Sequence, residues 1–192
     1  GVPGMRRGDL GAPVERVDAR GEKQQAIVEG GSGTERCSAS CLEHREHLLL
    51  EAPTGLGKTA AALFPAIRYA LAHDKRLFVL TAKNLQQEMA LKVIRQVDAG
   101  PALHALRLRA KARMCANGEV ICHEEYCPFA RDYFAKVATS GVVPRLLREE
   151  AVLEPDLVFS ASAQAEVCPF EVSLDLAGRA QVVLRQEAQH AH

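Results

Sequence analysis

The chain has 192 residues, 47% apolar and 25% charged, the balance of a soluble globular protein and the length of one domain or one domain with an insertion. Twenty-four basic residues offset twenty-four acidic ones, so bulk charge favours no polyanionic partner, and any such surface must be local. No apolar run approaches the ~20 residues of a membrane helix, and Arg6 and Arg7 precede no apolar stretch, which excludes a secretory signal and predicts a cytoplasmic protein without membrane contact.

Residues 1–46 are rich in Gly, Ser, Arg and Glu and include the run EGGSGTERCSAS. Beyond a weak helical patch around EKQQAIVEG no periodicity persists, which predicts a largely irregular segment. From His47 the texture changes. HLLLE reads as a buried parallel strand, and KTAAALFPAIRYALAHD as a helix bent at Pro65. KRLFVLTA (75–82) is a second buried strand, NLQQEMALKVIRQV an amphipathic helix, and HALRLRAKAR (104–113) a third strand. Strands alternating with helices predict an α/β fold on a parallel sheet. From Met114 to Pro169 a cysteine-bearing insert follows, with helices in ARDYFAKVAT and PRLLREEAV. EVSLDLAGRA then reads as a helix and AQVVL as a returning strand.

Between the first strand and helix stands Ala52-Pro53-Thr54-Gly55-Leu56-Gly57-Lys58-Thr59, a phosphate loop with alanine at the first glycine position. Gly55 and Gly57 let backbone N–H groups turn inward around phosphate oxygens. Lys58 reaches the β/γ-phosphates and Thr59 offers a hydroxyl to Mg²⁺, so the loop predicts ATP and Mg²⁺ binding.

Six cysteines occur. Cys115, Cys122 and Cys127 cluster and Cys168 follows, at spacings of six, four and forty intervening residues. Four thiolates suit an iron–sulfur cluster or zinc; structural zinc usually shows two tight C-x₂₋₄-C pairs, and the departure from that pattern favours the cluster. Cys37 and Cys41 have no matching second pair and read as incidental, and His123 beside Cys122 reads as solvent-facing. Arg107, Arg109, Lys111 and Arg113 alternate. A strand puts them on one side, either to line phosphates or as a charged, solvated edge.

In order, LLLEAPTGLGKT, LTAKNLQQ, RAKARMCANGEVICHEEYCPFARDYFAKV and EVCPFEVSLDLAGRAQVVL resemble the XPD/DinG-type iron–sulfur DNA helicases of superfamily two, over about residues 46–184. The resemblance implies a RecA-like P-loop NTPase lobe (47–113, resuming at 171–192) with an inserted helical iron–sulfur domain (114–170), driven by ATP, typically 5′ to 3′, along single-stranded or forked DNA. It implies that Cys115, Cys122, Cys127 and Cys168 ligate a 4Fe-4S cluster and that Thr81, Ala82 and Lys83 touch the DNA backbone. Residues 1–46 and 185–192 fall outside the likeness, and an Asp-Glu-Ala-His motif and a second lobe are absent. The expectation is therefore a truncated form, unable to hydrolyse ATP or unwind DNA alone. The alternative is a non-catalytic iron–sulfur or zinc module that binds nucleic acid.

Overall fold

The computed structural model describes residues 12–17, 23–28, 30–50, 57–97 and 103–186. They belong to two compact units, one built from residues up to 75 together with 89–97, the other from 76–88 and the residues from 98 onward.

In the first unit, strands β1 (Ala12–Val17), β2 (Lys23–Val28) and β3 (His47–Leu50) form an antiparallel sheet in the order β2-β1-β3. Helix α1 spans Gly30–His44 and α2 spans Lys58–Ala72. This corrects two expectations. The described residues before 47 are largely regular rather than irregular: Lys23–Val28, within EKQQAIVEG, is a strand, because pairing with β1 overrides a weak helical pattern. The Gly/Ser-rich run is helical. Cys37, Ser38 and Cys41 make one buried stripe of α1, which packs on α2, and that burial outweighs poor intrinsic propensity. His47–Leu50 of HLLLE is a strand, but it pairs antiparallel with β1 and leaves Leu49 64% exposed, rather than lying buried in a parallel sheet. A short apolar run states burial and not strand direction. Ala61, Leu63, Ile67 and Ala70 form the buried face of α2, whose interior includes Pro65.

In the second unit, β4 (Leu77–Thr81), β5 (Ala105–Leu108), β6 (Val152–Leu153) and β7 (Val182–Gln186) form a four-stranded sheet in the order β4-β7-β5-β6, all pairs parallel. The chain is thus an α/β protein with a parallel sheet, and its returning strand fits between β4 and β5. Helix α3 (Asn84–Gln96) follows β4. HALRLRAKAR is only half strand: β5 stops at Leu108 and α4 turns over Lys111–Met114. The four basic residues therefore do not share one strand face.

Between β5 and β7 the chain also carries α5 (Tyr133–Ser140), α6 (Val142–Glu149), α7 (Pro155–Gln164) and, at the end of the cysteine-bearing stretch, α8 (Pro169–Ala177). Gly141, at φ 61°, ends α5 and starts α6, a left-handed position that glycine takes without a Cβ penalty. Helix α7 ends in a Schellman motif, with Glu166 N–H on the Ala163 carbonyl and Val167 N–H on the Ser162 carbonyl, both at 3.1 Å. Val167 is wholly buried beside it. Met114 of α4, Val142 and Leu146 of α6, Val158 of α7, and Val172 and Leu176 of α8 share one core with Leu106, Leu153 and Val183 of the sheet. The insert's helices are therefore part of the sheet's own hydrophobic core. Among the described residues no helix is long and apolar enough to cross a membrane.

Candidate functional site

The core-packed helices of the second unit surround a cavity of about 680 Å³ whose walls include Cys115, Cys122, Cys127 and Cys168. Each thiol arrives by a different local device. Cys115 ends α4, and its Sγ–H donates to the Glu119 carbonyl at 3.3 Å. Cys122 lies exposed on an irregular segment. Cys127 is buried in a tight turn, its N–H on the His123 carbonyl at 2.9 Å and its carbonyl accepting from Ala130 and Arg131 N–H at 3.1 Å. Arg131 steadies the approach to that turn by donating to the Glu124 and Glu125 carbonyls at 3.1 and 3.2 Å.

Cys168 is the N-cap of α8, with Pro169 in the first turn, where a missing N–H costs nothing. Burial pushes its thiol up, and the backbone N–H groups of Glu171 and Phe170, aimed at the sulfur from the helix N-terminus, partly offset this. Among the described residues no three His, Cys, Asp or Glu side chains stand close enough together to hold one metal ion.

The rest of the wall was not read as such from sequence. Lys111, expected on a nucleic-acid face, lines the cavity. Its ammonium, hydrogen-bonded to Cys122, is held above the usual lysine range. It lies 5.3 Å from the centre of the Phe170 ring and 3.9 Å from Glu171 Oε1. Tyr133 O–H donates to Asp175 Oδ2 at 2.7 Å, tying the start of α5 to α8; burial, then that bond, raises the phenol well above its ordinary value. His123 is exposed, its Nδ1 accepting from Glu125 N–H at 3.2 Å, and it does not line the cavity. No sequence spacing announces these groups, although the second Cys-Pro-Phe does announce a proline-started helix at Cys168.

The remaining predicted residues lie at two other places. Thr81 ends β4 and Ala82 and Lys83 follow it, at the carboxyl end of the parallel strands, where open α/β sheets bind ligands. Gln86 holds this turn: its Oε1 accepts both Ala82 and Lys83 N–H at 3.1 Å, in the manner of a capping box. Thr81 is buried with its hydroxyl unpartnered, as is Nε2 of Gln87. Arg107 donates to Gln87 Oε1 at 2.8 Å and pairs with Glu88 at 2.6 Å and Glu154 at 3.7 Å. Arg109 pairs with Asp156 at 2.6 Å, while Arg113 is exposed. In the first unit Gly57 takes φ 70° and leads directly into Lys58 and Thr59, the first residues of the fifteen-residue helix α2, whose N-terminus favours an anion. Ala52, Pro53, Thr54, Gly55 and Leu56 lie outside the described residues.

The described residues thus make an α/β protein with a parallel sheet and four cysteines on the wall of one cavity. No protein-family model matches the chain. It is 30% identical over 92 residues to the 3′-5′ exonuclease DinG of Bacillus subtilis (strain 168), a stretch that covers 45% of this chain and 10% of that protein. The likeness to DinG is thus distant and partial, and this chain spans about a tenth of its length.

Proposed function

We propose that this chain is the nucleotide- and cluster-binding part of an ATP-dependent, iron–sulfur DNA helicase of the XPD/DinG type, acting on single-stranded or forked DNA. The observation that carries the reading is the gathering of Cys115, Cys122, Cys127 and Cys168 around one cavity. The distant similarity to DinG supports it. The donor set fits a 4Fe-4S cluster: four cysteines are the usual ligands, and about 680 Å³ is room for a polyatomic group rather than one ion.

A bound cluster would supply a covalent tie among four segments of chain. The protein's own residues prepare for it. The α8 N-terminus directs two N–H groups at Cys168, Lys111 opposes the negative charge of thiolates, and the Phe170 ring face lies against that ammonium. ATP and Mg²⁺ are assigned to the loop 52–59, with Gly57 letting Lys58 begin the helix. DNA is assigned to Thr81, Ala82, Lys83 and Arg113. Arg107, Arg109 and Lys111 already face carboxylates and act first as ties within the fold.

The full chain, purified without oxygen, is expected to be brown, to contain iron and acid-labile sulfide, and to absorb visible light. Cys122→Ser is expected to lose most of that absorption. A colourless protein carrying one equivalent of zinc would overturn the cluster assignment in favour of a zinc module.

A further inference from the structure

The two halves of the thiol set are held differently, and one side chain accounts for much of the difference. Lys136 projects from α5 and donates to the Pro128 carbonyl at 2.7 Å and the Glu166 carbonyl at 3.3 Å. Pro128 directly follows Cys127, and Glu166 precedes Cys168 by two residues. One ammonium therefore bridges the backbones that deliver two cavity thiols from places forty residues apart in sequence.

Both carbonyls need such a donor. Pro128 follows a tight turn, and Glu166 sits at φ 53°, a left-handed conformation that a residue with a Cβ adopts at some cost. Lys136 gives the Glu166 carbonyl a partner where the helix has ended. Its own backbone is fixed by an N–H to the Asp132 carbonyl at 3.0 Å. Cys115 and Cys122 are held otherwise: Cys115 follows the core residue Met114, its Sγ bonding locally to the Glu119 carbonyl, and Cys122 lies exposed on an irregular segment, where it meets the Lys111 side chain that also approaches Glu171 at 3.9 Å.

We infer that Lys136 is a positioning residue that sets Cys127 and Cys168 before any metal binds, leaving the exposed segment of Cys122 to close over the site afterwards. This rests on the four-thiol reading above, but its test does not need the cluster to exist. The full chain is stripped of metal with a chelator, alkylated with iodoacetamide at fixed pH, and read cysteine by cysteine by mass spectrometry. Of the four cavity thiols in the native chain, Cys122 is expected to react fastest and Cys127 slowest.

Lys136→Met keeps the aliphatic stem and removes the bridge. It is expected to accelerate Cys127 and Cys168 about fivefold, the scale of one lost hydrogen bond, with Cys122 unchanged. Lys136→Arg keeps donors and is expected to restore slow labelling. Unchanged rates at Cys127 and Cys168 in Lys136→Met would overturn the inference. If that variant loses its helical circular dichroism, Lys136→Gln decides: selective acceleration supports the bridge, and uniform acceleration of all four thiols overturns it. Reconstitution with iron and sulfide separates the two proposals. Failure of the native chain to gain colour counts against the cluster alone, whereas full and equally fast reconstitution of Lys136→Met counts against presetting.

Discussion

Cys127 and Cys168 on one side, and Cys115 and Cys122 on the other, reach the same cavity from unlike surroundings. The first pair stands on a scaffold whose side chains Val167, Val172 and Leu176 are wholly buried, and whose turns close with Schellman and N-cap geometry. The second pair brackets an irregular stretch in which Val120 and Ile121 are half exposed and Cys122 is open to solvent. A site so divided has a fixed wall and an adjustable one. The fixed wall lets a ligand meet prepared donors with little reorganisation, and the adjustable wall lets it enter.

The largest test of that contrast is a pair of truncations. Leu176 is fully buried on α8, about two helix turns beyond Cys168, in the core shared with the sheet. Leu176→Ala is expected to cost about 2–5 kcal/mol, from lost transfer energy and the cavity left behind. Ile121→Ala, on a side chain 45% exposed, is expected to stay within about 0.5 kcal/mol. Urea denaturation of both variants measures the difference. Equal losses would mean that the second wall is as tightly packed as the first.

What the sequence made legible follows the same division. Strands β4, β5 and β7 and helices α2, α3 and α8 are carried by apolar runs and amphipathic stripes, and these are local signals. The four thiols stand out by clustering. The N-terminal hairpin and α1 do not, because pairing between strands and the burial of Cys37, Ser38 and Cys41 are tertiary facts. The alternation of Arg107, Arg109, Lys111 and Arg113 misleads for a similar reason. It assumes that the strand runs on past Leu108, and the carboxylates that face three of these residues, Glu88, Asp156 and Glu171, come from distant helices. Lys136 left no trace at all, since a side chain that bonds to backbone carbonyls places no demand on the identity of its partners.

A smaller effect tests the fixed wall from within. Tyr133→Phe removes the hydroxyl that ties α5 to Asp175 and is expected to cost about 1 kcal/mol at neutral pH, the bond being half-buried and to a carboxylate. The sign of its pH dependence is determined. The phenol is raised in the folded state, chiefly by burial, so its contribution is complete below the ordinary tyrosine value of about 10 and is lost as pH rises above it. The gap in stability between native chain and variant should therefore narrow between neutral pH and pH values above about 10. A gap that stays constant would place the bond outside the folding equilibrium.

The smallest effect belongs to the pair Arg109–Asp156, at the entrance to α7 and outside the lining of the thiol cavity. Asp156 is fully exposed, and the Arg109 hydrogen bond and charge hold its carboxyl below the usual range. A depressed carboxyl stabilises the fold above the unfolded value of about 3.9, and that contribution disappears as pH falls through the folded value. Asp156→Asn should thus leave neutral-pH stability almost unchanged, as expected for a solvent-screened pair. It should flatten the acid limb of the stability profile below about pH 4 without altering the labelling of any cavity cysteine. If Cys168 labelling instead quickens in Asp156→Asn, the start of α7 is mechanically coupled to the thiol wall, and the fixed half of the site extends through α7 to the edge of the sheet.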